Sequence, residues 1–136
     1  MGAWGHGPFE DDGALDFVME IEEAKNPKDI ITTALDQAIA SDYLDTDQAN
    51  AAIVSAAYID SAVNATKYTT PEMTEPYEAD TFPQRFPELD LTNLKDKAVT
   101  ALEKVISEGS ELKELWDESE EPAWQQGIEA MIKRLS

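Results

Sequence analysis

The sequence predicts an all-α fold, a small compact bundle of about five to six helices with a Pro-rich loop in its middle. Three observations point there. Apolar residues recur at three-to-four spacing in several segments, no segment alternates apolar and polar residues as a strand does, and 136 residues suit one domain with a single modest core. The expected organisation is one acidic helical domain over residues 1–136, with residues 64–90 as a connector inside it.

Along the chain, residues 9–24 carry a first helical stripe through Ala14, Leu15, Val18 and Ile21. Asn26 is an N-cap type, Pro27 stands where the first helical residue belongs, and Asp29 favours the first turn. Ile31, Leu35, Ala38 and Ile39 then form the next stripe. Asp47 opens a further segment in which Ala49, Ala52, Ile53, Ala56, Ile59 and Val63 recur. Its many Ala residues suit close approach between helices.

Residues 64–90 depart from this pattern. Pro71, Pro76, Pro83 and Pro87 cannot continue a helix and restrict the residues before them. Tyr68, Tyr77, Phe82 and Phe86 punctuate the run, which reads as a loop pinned onto the bundle; the functional alternative is a binding loop. Beyond it, Leu91, Leu94, Ala98, Leu102 and Val105 make a stripe that stops near Gly109, a C-cap type. A short helix over 111–117 runs its apolar residues through Leu112, Leu115 and Trp116, with Leu112 and Leu115 inward. The last stripe is the cleanest, with Trp124, Ile128, Met131 and Leu135 following Pro122 in the entry turn. Leu, Ile, Val and Phe number only 28 of 136, close to the level at which high charge predicts disorder, so this patterning decides for a folded chain. Trp4, Trp116 and Trp124 are expected to be at least partly buried.

Twenty-nine acids against ten Lys and Arg leave a formal charge of −19. Solubility alone needs a magnitude of only about 2–8. Phosphates would meet repulsion instead of releasing counterions, which argues against direct nucleic-acid binding. No run is long or apolar enough to span a membrane, and no signal peptide is visible at the start. There is no Cys, hence no disulfide, thiolate nucleophile or thiolate metal site, and the expected location is the cytoplasm.

Chemical motifs mostly fail. His6 is the single His, and one imidazole cannot build a two-His zinc site or, without a nucleophile elbow, a hydrolase triad. No phosphate-binding loop occurs, and Gly2, Gly5 and Gly7 do not match the dinucleotide fingerprint. Asp42, Asp45 and Asp47 resemble the start of a calcium loop, but Asn50 and Ala56 stand where it needs Gly and Glu. A myristoylation pattern fails at His6, where Ser or Thr belongs. Asp16, Glu20 and Glu23 share one helix face, which could hold a hard cation or supply acid and base; such a row is more often a solvated polar face. No catalytic residue, metal ligand or cofactor is assigned.

Two features stand out. Trp4 and Phe9, among three glycines, read as an N-terminal plug that anchors the chain end in the core. Charge is also segregated: residues 1–24 hold seven acids and no Lys or Arg, and residues 107–122 hold seven acids against Lys113 alone. Each run flanks apolar anchors.

These same residues carry a family resemblance. The opening MGAWGHGPFEDDGALDF, the Ala-rich DQANAAIVSAAYIDSAV and the closing SELKELWDESEEPAWQQGIEAMIKRL resemble a bacterial family known as domain of unknown function 4259. The resemblance implies a small, acidic, cytosolic, helical protein with no established activity and no catalytic residues to carry over. That family's Ala-rich helix often has more Glu and fewer Ser or Tyr, so Ser55, Tyr58 and Ser61 mark a local divergence in packing or surface.

The function expected first is a non-catalytic acidic protein-binding domain, an inhibitor or immunity-like factor or a regulator that covers a basic site on a partner protein. Its expected site is Glu111, Glu114, Trp116, Asp117 and Glu118, with the acids on the outer side of the short helix. Two alternatives stand beside it: a small metal-dependent hydrolase using Asp16, Glu20, Glu23 and His6, or a structural protein adapted to a saline cytoplasm.

Overall fold

Helix starts in this chain are set by short polar exchanges between neighbouring residues. Asp45 Oδ1 accepts the Gln48 N–H at 2.8 Å while Gln48 Oε1 accepts the Asp45 N–H at 3.2 Å, a reciprocal capping box. At Asn26 the backbone carbonyl accepts the Asp29 N–H at 3.1 Å, and the side-chain amide donates to the Asp29 carboxylate at 2.9 Å instead of capping the helix. Pro27 follows at the first helical position as expected.

A computed structural model describes residues 12–64, 90–107, 109–119 and 122–136. Among these it contains six α-helices and no strand: α1 (Asp12–Glu23), α2 (Pro27–Ala40), α3 (Thr46–Asn64), α4 (Lys95–Val105), α5 (Glu111–Ser119) and α6 (Pro122–Leu135). A 3-10 turn, Thr92–Leu94, leads into α4. Asp90 opens that turn by accepting the Thr92 N–H at 2.9 Å, and this bond is the first cause holding its carboxyl below the usual range. Trp4 and Phe9 of the expected plug, and all but the ends of the Pro-rich connector, lie outside the described residues.

The bundle is organised around α3, which packs against every other helix. Val54, Ser55, Ala57, Tyr58, Asp60 and Ser61 are buried along with the expected Ala49, Ala52, Ile53, Ala56 and Ile59. A single stripe was expected; the helix is instead covered on almost all sides, as a small-residue, apolar helix in a core can be. Ser55, Tyr58 and Ser61 therefore belong to packing and not to the surface.

The other stripes fall where their spacing puts them. Ala14, Val18 and Ile21 of α1 are buried, as are Ile31, Leu35 and Ala38 of α2, and Ala98, Leu102 and Val105 of α4. Trp124, Ile128, Met131 and Leu135 of α6 complete one contiguous cluster.

Two of the polar groups in this core, on Tyr58 and Asp60, reach partners on other helices. The Tyr58 hydroxyl donates to Glu22 Oε2 at 2.6 Å. Asp60, fully buried, accepts from Arg134 Nε at 2.8 Å and from Asn64 Nδ2 at 2.7 Å, and Asn64 Nδ2 also donates to the Arg134 carbonyl at 3.2 Å. Ser55 Oγ is buried with no hydrogen-bond partner.

Gly109 does not cap α4, which has already ended at Val105. Its carbonyl accepts the Leu44 N–H at 2.8 Å, and a Cβ there would come within 3.0 Å of the Asp42 carbonyl oxygen. The missing side chain lets the loop after α4 lie against the loop after α2.

Candidate partner-binding face

Leu44 and Ser110 form an isolated parallel bridge that fixes where α5 begins. The Glu111 N–H donates to the Leu44 carbonyl at 2.9 Å, and the Glu111 carboxylate reaches back to accept the Thr46 N–H at 3.2 Å. Glu111 therefore satisfies one of the open N–H groups at the start of α3 and adds negative charge where the α3 dipole is positive. On the other side of this junction, the Lys104 ammonium donates to the carbonyls of Ile39 (2.8 Å) and Ser41 at the end of α2. An acid and a base thus occupy the helix ends that their charges suit.

The inward side of α5 is formed by Leu112, buried, and Trp116, half-buried against the core, with Leu115 only half-buried beside them. Trp116 stacks on Trp124 with ring centroids 6.0 Å apart and planes 5° from parallel. The sequence pattern runs the apolar side through Leu112, Leu115 and Trp116, with Leu112 and Leu115 inward, Trp116 at least partly buried and all four acids outward. Leu112 and Trp116, one turn apart, take the inward place, and Glu111 turns onto the α3 start.

Of the remaining acids, Glu114, Asp117 and Glu118 are exposed. Asp117 pairs with Lys113 at 2.7 Å within the same helix. Glu114 Oε2 accepts the Tyr43 hydroxyl at 2.8 Å. Tyr43 comes from the loop between α2 and α3 and is 49% exposed. Its hydroxyl is pushed up from 10.0 to about 12, first by the hydrogen bond to Glu114, then by desolvation and by the charges of Glu114 and Glu111. Tyr43 was absent from the expected site, because nothing local links it to a residue 71 positions away. Two carboxylates of this acidic run therefore serve the fold, because they hold the α2–α3 junction.

Asp16, Glu20 and Glu23 are all exposed. Asp16 and Glu20 line an open groove of about 340 Å³ together with Phe17, Gln37, Asp47, Gln48 and Ala51, and Glu23 does not. Among the described residues no group of three or more His, Asp or Glu is placed to hold a metal ion. His6 lies outside the described residues. No helix among them is long and apolar enough to cross a membrane.

The sequence pattern of one family, described as Domain of unknown function (DUF4259), matches residues 2–127. No curated protein and no solved structure matches the chain.

Proposed function

The chain belongs to the family described as Domain of unknown function (DUF4259), and from its own surface we propose that it is a non-catalytic binding domain that covers a basic site on a partner protein. The role is that of an inhibitor, an immunity-like factor or a regulator, acting in the cytoplasm. One observation carries this reading. Glu114, Asp117 and Glu118 project together from α5, on a helix whose inner side is anchored by Leu112 and by the Trp116–Trp124 stack. A fixed row of like charges attracts an oppositely charged surface over distance and selects its partner by sign. The formal charge of −19 strengthens the same attraction.

Glu111 and Glu114 also hold the fold together, so the site is tested through the other two acids. The experiment is capture from native lysate at low ionic strength, elution with salt, and identification of what elutes. Association of that protein is then measured with Asp117→Asn combined with Glu118→Gln. A slower on-rate and a shallower salt dependence support the face; unchanged kinetics in the folded variant reject it. A shift in melting on adding divalent cations would instead favour the metal-dependent hydrolase.

A further inference from the structure

The helix that presents the acidic row is the one least rooted in the core. Among the described residues Leu112 is its only side chain in the buried core, whereas α6 buries four and α1 buries three. Beyond Leu112, Trp116 stacks on Trp124, and the remaining fastenings are polar and lie at the junction: the Glu111 N–H on the Leu44 carbonyl, the Leu44 N–H on the Gly109 carbonyl, the Thr46 N–H on Glu111 and the Tyr43 hydroxyl on Glu114. The Tyr43–Glu114 bond is exposed and the Thr46–Glu111 bond only part-buried, so water competes for both and each contributes little. An element with few buried apolar groups and exposed hydrogen bonds opens locally at lower cost than the core.

We propose that α5 is a releasable strap, which detaches from α3 as one unit while α1, α2, α3, α4 and α6 stay folded. Nine residues are too few to hold a helix alone in water, so parting the junction loosens the whole segment together. Closed, the strap turns Leu112 and one face of Trp116 inward and its acids outward. Open, it offers both sides: an apolar set of Leu112, Leu115 and Trp116, and the charged set of Glu114, Asp117 and Glu118. The strap is a property of the free chain and does not depend on the binding reading.

Native-state hydrogen exchange on the full chain, without any partner, tests it. The amides of Leu44, Thr46, Glu111 and Glu114 are expected to exchange together, through an opening at least tenfold more populated than the one that exposes Ile59 in mid-α3. Tyr43→Phe should speed the whole set by about five- to tenfold and leave Ile59 unchanged, the effect of losing one hydrogen bond. Glu111→Ala should do the same to Leu44 and Glu114. Exchange of the four amides at the Ile59 rate overturns the strap, and so does a separate rate for each with no shared response to Tyr43→Phe. Failure here leaves the binding face standing, and failure to find a partner leaves the strap standing.

Discussion

Arg134 Nε lies 2.8 Å from Asp60 Oδ2, which ties the last turn of α6 to a fully buried carboxylate in α3. A buried carboxylate left without its partner keeps its desolvation cost and loses the compensating charge. Arg134→Met is therefore expected to destabilise the fold by about 2–3 kcal/mol, below the full effect of breaking a buried pair because the Arg134 side chain is 37% exposed. Combining it with Asp60→Asn should recover part of that loss. Urea unfolding of the parent and the two variants checks both, and an Arg134→Met midpoint equal to the parent's would show that the pair contributes nothing.

Tyr43 gives a prediction in pH. Its hydroxyl titrates at about 12 in the folded chain instead of 10.0, so the folded state holds that proton more tightly than the unfolded one. The associated stabilisation is complete below pH 10 and is lost as pH rises toward 12. The difference between the ultraviolet titrations of the parent chain and Tyr43→Phe should show Tyr43 ionising late. Glu114→Gln should bring that ionisation back toward pH 10, because it removes both the charge and the strongest acceptor.

Ser55 lacks a hydrogen-bond partner inside the core, an expense with no visible return. Replacing it with Ala removes the stranded hydroxyl and suits a helix that already carries Ala52, Ala56 and Ala57. Ser55→Ala is expected to raise stability by about 1 kcal/mol. A decrease measured by thermal melting would overturn this reading of the hydroxyl.

Salt should stabilise the whole domain. Repulsion among twenty-nine acids opposes compaction, and at about 0.15 M salt its reach already falls to about 8 Å. The melting temperature is expected to climb from low to moderate ionic strength and then level off. A flat profile would show that pairs such as Lys113–Asp117 and Arg134–Asp60 already absorb the repulsion.

Sequence reading succeeded where one face of a helix does all the burying. The stripe of Trp124, Ile128, Met131 and Leu135 was legible because its period alone sorts core from solvent. It fell short at α3, where burial on nearly every side erases the period and brings in Ser55, Tyr58 and Asp60. The candidate site was half legible for a related reason. Composition reveals an acidic row beside a tryptophan, but the orientation of Glu111 depends on an N–H 65 residues away. Leu115 and Trp116 compete for the same inward place, and only the position of Trp124 decides between them.

The contact between the loops at Leu44 and Ser110 has a consequence for the order of folding. It joins segments far apart in sequence, so loop closure must be completed before the contact contributes anything. The helices it connects can form and pair first, and the bridge then closes late, on the native side of the barrier. Weakening it, as Gly109→Ala would by crowding the Asp42 carbonyl, should leave the folding rate almost untouched and appear as faster unfolding. The junction therefore governs how long the native state lasts once formed, while the speed of reaching it is set by the helices around α3.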